Sequence, residues 1–276
     1  MKTFDLVKIK SCDNLIKESP KKEHYKKVIN EDCYLKLDGK IKGFYLKMPK
    51  SIINNLEKTV KETKFVNSYR TKKAINTRSS VFGFLPRNPM RQDYCRISES
   101  TKKEKNNFIS LYNFSKKLSE CYKSFLLEKF NQDLELINKN IKDEWRFDKN
   151  NPFTTISINV NHAIKYHKDT ANYKGSYSNV LIVSKGIKGG ELVLPEYEIA
   201  LSQENGFLLV FDGQNEIHGV MAIQKNTEKS FRASIVFYAL ENMKHCYPYK
   251  EEVKRIKIKD TERAKKRVLN KDPRKK

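Results

Sequence analysis

In Thr155-Ile156-Ser157-Ile158-Asn159-Val160-Asn161 apolar and polar side chains alternate without a break. Successive side chains of an extended strand point to opposite faces, so a period of two reads as a half-buried β-strand. Upstream the period is helical. Phe108, Leu111, Phe114, Leu118, Tyr122 and Phe125 predict one long amphipathic helix over 103–130. Ser51 reads as the N-cap of an earlier helix carrying Ile52, Ile53, Leu56 and Val60. Downstream, strands are expected at 180–183, 191–194, 206–211, 217–222 and 231–240, with Asp212-Gly213 as a hairpin turn. Many short strands at close spacing make a sandwich or barrel, and the fold class is α+β. Residues 1–80 form a basic region of mixed α/β character, with an Asp38-Gly39 turn after a strand at Cys33–Leu37. Residues 81–97, with two prolines and three arginines, suit an ordered loop beside a partner, and 250–267 reads as a basic helix. The expected division is thus 1–80, 81–150 with the loop and long helix, 151–246 as the core, and a basic tail over 247–276.

The chain has 276 residues, 38% of them hydrophobic, with 15 Phe and 14 Tyr, enough to bury a core and to exclude wholesale disorder. No window approaches 18 uncharged apolar residues, which argues against a membrane span. The opening MKTFDLVKIKSC lacks the apolar stretch of a secretory signal, so an intracellular, reducing location is expected. Five scattered cysteines without a C-x-x-C pair argue against a disulfide framework and a structural zinc site. The net charge is +23, unevenly placed. Residues 151–240 carry 8 basic and 8 acidic residues and seven of the ten glycines, while 244–276 carry 14 basic and 5 acidic. A genome-wide lysine bias would raise the total without leaving one block neutral. A neutral core between basic flanks points to a polyanionic partner, nucleic acid first.

His167 and Asp169 form His-x-Asp just after a strand. Residues two apart in an extended segment share a face, so imidazole and carboxylate project together. His218, beyond the Asp-Gly turn, can bring a second imidazole. Two His and one carboxylate on one face of a metal make the facial triad of non-haem Fe(II) oxygenases. Arg232 follows in Phe231-Arg-Ala-Ser-Ile-Val-Phe-Tyr-Ala-Leu240, sharing a face with Ser234 while Phe231, Ala233, Ile235, Phe237 and Ala239 share the other. A guanidinium inside a barrel is costly unless a carboxylate meets it, and the far carboxylate of 2-oxoglutarate would do so, with a hydrogen bond from Ser234. His24, His162 and His245 read as solvated or locally satisfied.

These residues, in this order, resemble the double-stranded β-helix (jelly-roll) Fe(II)/2-oxoglutarate dioxygenases, and among them the TET/JBP family acting on 5-methyl pyrimidines in DNA. The resemblance lies in His167-Lys-Asp-Thr-Ala-Asn172, Gly189-Gly-Glu-Leu-Val-Leu-Pro-Glu-Tyr197, Phe211-Asp-Gly-Gln214 with His218-Gly219, and Arg232-Ala-Ser-Ile-Val236. Phe82-Gly-Phe-Leu-Pro-Arg87 and Arg91-Gln-Asp-Tyr-Cys95 resemble the segment before the catalytic core in small members. It covers about residues 80–246. It implies Fe(II) held by His167, Asp169 and His218, 2-oxoglutarate and O2 as co-substrates, and Arg232 on the 2-oxoglutarate. It also implies a flipped base read by Asn172, with Asn159 and Asn161 as further pocket candidates. Arg87, Arg91 and Arg96 are candidates for DNA contacts. Animal members carry a histidine eight residues after the arginine, where this chain has Leu240.

The leading expectation is hydroxylation of 5-methylcytosine in duplex DNA by a monomer that flips the base, with no membrane partner. Asn172, where thymine-hydroxylating relatives tend to differ, favours methylcytosine. The alternatives are a JBP-type thymine hydroxylase, a 2-oxoglutarate oxygenase of another substrate (an AlkB-like repair or peptidyl hydroxylase), and a non-catalytic basic DNA-binding protein.

Overall fold

The computed structural model describes residues 1–67, 78–88 and 93–271. Strands β1 (Lys2–Leu6), β2 (Lys27–Ile29), β3 (Cys33–Leu37) and β4 (Lys40–Lys47) precede helix α1 (Lys50–Glu62). Then come β5 (Val66–Asn67), β6 (Arg78–Leu85), β7 (Arg96–Ile97), α2 (Glu99–Lys103), α3 (Lys105–Phe125) and α4 (Leu127–Asn140). The glycine-rich block holds β8 (Thr155–Val160), β9 (Ser178–Lys185), β10 (Ile187–Gly189), β11 (Leu192–Leu194), β12 (Ile199–Leu201) and β13 (Phe207–Phe211). It continues through β14 (Gly219–Val220), β15 (Ile223–Lys225) and β16 (Phe231–Tyr238), and α5 (Tyr249–Lys271) follows.

A large sheet runs β1-β3-β4-β13-β9-β16-β8-β6-β5, with β7 on β6; a smaller one runs β14-β11-β12-β2. The alternation of β8 and β16 decides which way each side chain faces. Ile156, Ile158, Ile235 and Phe237 point to the back of the large sheet, where Leu111, Phe114, Leu118 and Tyr122 of α3 cover them. On the front, Leu209 and Phe211 of β13 meet Leu192, Leu194 and Leu201 of the small sheet. Two facing sheets, mostly antiparallel, with helices on one outer face make a jelly-roll core. No helix among the described residues is long and apolar enough to cross a membrane.

Several local expectations change. The long helix breaks at Leu126, whose φ of −140° leaves the helical region, so α3 and α4 are separate. The helical stripe continues past that break, and periodicity alone does not see it. Pro49, not Ser51, stands at the N-cap of α1, and it has no polar side chain with which to cap the first N–H groups. The C-terminal helix runs on to Lys271. The Asp212-Gly213 turn closes no hairpin: β13 pairs within the large sheet and β14 with β11 of the small one. The Asp212 carboxylate accepts from the backbone N–H of Gln214 and Asn215, and the turn carries the chain across the core. Residues 81–85 belong to strand β6, and Arg96–Ile97 pairs back onto it, so only the middle of the arginine-rich segment is loop.

The strands of residues 1–67 join the same two sheets. β1, β3 and β4 extend the large sheet beyond β13, and β2 lies parallel to β12 in the small one. Asp38 and Gly39, both at positive φ, make the tight turn between β3 and β4. The cysteines also depart from expectation, since Cys95 and Cys246 are joined in a disulfide across 151 residues. No local spacing announces such a pair; β7 and the turn after β16 meet over Trp145 and Ile137. Cys12, Cys33 and Cys121 remain free. Thiol titration of unfolded, unreduced protein is expected to find three thiols, rising to five after reduction; five before reduction would contradict the pairing.

Candidate metal centre

His167 and His218 lie on segments that meet in an isolated antiparallel bridge. Each N–H donates to the other's carbonyl, at 2.9 and 3.0 Å. That pairing brings the two rings to 4.3 Å between centroids, and Phe211 packs edge-on against His218. Asp169 Oδ1 lies 3.5 Å from His167 Nε2 and 3.8 Å from His218 Nε2. Among the described residues, His167, Asp169 and His218 are the group whose donor atoms, all within 4.8 Å of one another, could hold a metal.

Hydrogen bonds orient each donor. His167 Nδ1 meets the Lys165 carbonyl at 2.8 Å, and His218 Nδ1 meets the Glu216 carbonyl at 3.0 Å. A carbonyl only accepts, so each Nδ1 carries the proton and each Nε2 is left to face inward with its lone pair. Asp169 Oδ2 accepts from the Ser178 hydroxyl at 3.0 Å and more weakly from the Asn172 amide at 3.4 Å, leaving Oδ1 for the centre. Gly213 permits this: a Cβ there would stand 2.4 Å from Asp169 Oδ2 and 3.0 Å from Ser178 Oγ. Burial works to raise the Asp169 carboxyl, but the His167 contact, the charges of both imidazoles and Ser178 outweigh it and hold it below the usual range. Burial lowers His218, whereas at His167 the Asp169 carboxylate overcomes burial and raises the imidazole.

Arg232 lies in β16 on the front of the large sheet and is 1% exposed. Its Nη2 donates to Gln203 Oε1, while Nε and Nη1 are buried with no partner. Burial pulls its pKa down to about 10, against the pull of Glu191. Gly190 leaves the space beside it, since a Cβ there would come within 2.9 Å of Arg232 Cδ. Two unpaired guanidinium nitrogens in a buried cleft are the vacancy a carboxylate fills. Two imidazoles, one carboxylate and this arginine therefore fit Fe(II) and 2-oxoglutarate.

The match of the family model Tet_JBP, the oxygenase domain of the 2OGFeDO superfamily, spans residues 85–241, more than half of the chain. The chain belongs to this family. A TET/JBP-type oxygenase uses Fe(II), 2-oxoglutarate and O2. Among solved structures, "NgTET1 in complex with 5mC DNA" superposes with a TM-score of 0.62 at 17% identity, covering 84% of this chain and 87% of that one. A 2OG-Fe(II) oxygenase-family oxidoreductase from Burkholderia pseudomallei (TM-score 0.42, 11% identity, 70% and 84% coverage) and OsALKBH1 (0.41, 13%, 71% and 97%) are also similar. Comparison with curated proteins finds no match.

The other expected site residues are placed differently. Ser234 is buried one alternation along from Arg232 on the same face, opposite Asn159. Asn161 sits at a φ of 53° at the end of β8. Its Oδ1 accepts the Arg232 backbone N–H at 3.0 Å, so it holds the strand beneath the arginine. Asn172 commits its amide nitrogen to Ser178 at 2.8 Å. Arg87 pairs with Glu252 at 2.8 Å and stacks on Tyr247, which makes it an anchor and not a free phosphate contact. Arg96, half-buried, donates to the Pro86 carbonyl. Arg91 lies outside the described residues. Nothing in the sequence marked Gln203 or Ser178, and Gly213 read only as part of a turn.

Gly213→Ala is expected to displace Asp169 and weaken Fe(II) binding about 10- to 100-fold with the fold intact. Isothermal titration with Fe(II) under anaerobic conditions, alongside circular dichroism, checks this; unchanged affinity would contradict the cradle.

Proposed function

We infer that this oxygenase hydroxylates the 5-methyl group of 5-methylcytosine in DNA, acting on a base flipped out of the duplex. The observation that carries the reading is the His167-Asp169-His218 cluster beside a buried arginine with two unpaired nitrogens, in a chain of net charge +23. The likeness to a TET structure whose DNA contains 5mC supports the choice of substrate class.

When bound, Fe(II) with 2-oxoglutarate and O2 supplies the oxidising power that replaces a C–H hydrogen by hydroxyl. The chain's own residues position the partners. The Nε2 atoms of His167 and His218 and Oδ1 of Asp169 would hold the metal. Arg232, with Nε and Nη1 unpaired, would offer its charge and a free N–H donor to the 2-oxoglutarate carboxylate remote from the metal, and the Ser234 hydroxyl lies on the same face. Phe211 packs edge-on against the buried His218, while the His167 and Asp169 side chains stay partly open to solvent.

Asn172 bears on the choice of base. Its amide N–H groups serve Ser178 and Asp169, so its carbonyl oxygen is what it can offer a ligand. An acceptor matches the 4-amino donor of cytosine and not the O4 acceptor of thymine. A methyl group on a stacked base cannot reach a metal enclosed between two sheets, which is why the nucleotide must leave the helix.

Nucleoside mass spectrometry after incubation with Fe(II), 2-oxoglutarate and ascorbate is expected to find hydroxymethylcytosine from methylated duplexes and no product from duplexes with thymine as the only methylated base. Product from thymine alone would overturn the base assignment, and no product from either would overturn the substrate class. Arg232→Lys removes the bidentate fork and is expected to weaken 2-oxoglutarate binding by ten- to a hundred-fold, about 1.5–3 kcal/mol, with duplex affinity unchanged. Unaltered 2-oxoglutarate affinity would remove Arg232 from the site.

A further inference from the structure

Helix α5 presents two opposite faces with opposite tasks. Along one, Glu252, Arg255 and Arg263 recur at intervals of three and eight residues and hold the helix on the segment that precedes β7. Glu252, 0% exposed, accepts from Arg87, from the Cys95 N–H at 3.1 Å and from the Tyr247 N–H at 2.9 Å. Arg255 donates to the Asp93 carbonyl, and Arg263 pairs with the Asp93 carboxylate and the Tyr94 hydroxyl. The Cys95–Cys246 disulfide ties the root of the helix to the same segment. This is a strong attachment for a helix whose exposed surface is mostly charged, Tyr249 and Ile258 aside.

The opposite face carries Lys250, Lys254, Lys257 and Lys265 at spacings of four, three and eight, all exposed. With Thr261 between them they fall within one narrow stripe of a 3.6-residue helix. Glu251, Asp260 and Glu262 lie to either side of it, and Glu262 and Asp260 are paired with Lys259 and Arg263. Among the described residues none of the four lysines is in an ion pair, and the stripe extends about 22 Å at 1.5 Å per residue. Four like charges in a row repel one another, and a counter-charge of matching pitch relieves that. The helix is rooted beside the metal centre. Asn172, three residues after Asp169, bridges Leu240, and the Glu241 N–H donates to the Ala171 carbonyl just before α5 begins.

We propose that the outer face of α5 is a nucleic-acid backbone surface, on which Lys250, Lys254, Lys257 and Lys265 contact successive phosphates of duplex DNA while the Glu252 anchor fixes the helix relative to the metal centre. This rests on the DNA reading above. Arg87, neutralised by Glu252, works beneath this surface as its support. The contacts are sequence-independent, because phosphates carry no base information.

The test replaces the four lysines together by glutamine and measures binding of an unmethylated duplex over a range of salt. A control variant replaces Lys40, Lys42, Lys50 and Lys58, equally exposed and far along the chain, and removes the same charge. With about 0.9 of a counterion released per phosphate contact, the stripe variant is expected to flatten the log–log salt slope by about 3–4 and lose affinity about ten-fold or more at moderate salt. Its helix content, Fe(II) binding and DNA-independent 2-oxoglutarate turnover stay as in the wild type. An equal loss in both variants overturns the surface in favour of net charge, and so does an unchanged slope in the stripe variant. Wild-type binding of plain duplex through the stripe, without oxidation of methylpyrimidines, supports this surface while ending the methylcytosine reading. A wild-type protein that binds anionic vesicles but no duplex overturns both.

Discussion

The metal centre depends on one pair of backbone hydrogen bonds, the reciprocal N–H to carbonyl contacts between His167 and His218. They join a segment after β8 to the segment after β13 and, with the Val220 N–H to Ile164 carbonyl contact beside them, bring two imidazoles 51 residues apart to the same point. Because the bridge is antiparallel and direct, the two side chains leave the backbone on the same side. The Asp212 turn makes this bridge reachable by carrying the chain from the large sheet to the small one. Asp169 then falls into place through Gly213, whose carbonyl accepts the Asp169 N–H at 2.8 Å.

Burial of Arg232 is the second constraint, and it is costly. A guanidinium with two unpaired nitrogens between sheets is tolerated because its strand is held on both sides, by β8 and β9, and because Asn161 accepts its backbone N–H. Gln203 gives it one neutral acceptor, which satisfies Nη2 without neutralising the charge. A carboxylate in place of that amide would satisfy the arginine internally and leave nothing for an anionic ligand. The cleft thus stays poised for a dicarboxylate, and the strain of doing so is spread over the centre of a ten-stranded sheet.

The basic flanks have different tasks. Part of the positive charge is structural: Arg87, Arg255 and Arg263 bind one another's partners around Glu252 and Asp93 and make the loop and the C-terminal helix one body. The rest is left outward. A chain rich in lysine thus keeps a neutral block around the metal centre, with its structural and its outward charge on opposite faces of the same helix.

Much of this was legible in the residues. Strand alternation in 155–161 and 231–240 is set by backbone geometry, so Ile156, Ile158, Ile235 and Phe237 had to face one way and Arg232 and Ser234 the other. His-x-Asp, a distal His and a strand arginine belong to chemistry that tolerates few substitutes, which is why the order of residues alone pointed to the family. What the sequence could not determine are relations between segments distant along the chain. The Asp212 turn reads as a hairpin locally and becomes a crossing between sheets because β13 finds β4 and β9 as better partners. Arg87 reads as a phosphate contact until Glu252, 165 residues away, is seen beside it. That Asn161 Oδ1 serves the Arg232 backbone and the Asn172 amide nitrogen serves Ser178 is equally hidden along the chain, and Cys95 meets Cys246 only when β7 packs on the turn after β16. Local periods and residue chemistry settle what each segment is; which polar group meets which is decided only when the two sheets close, because that step alone brings remote donors and acceptors within hydrogen-bonding distance.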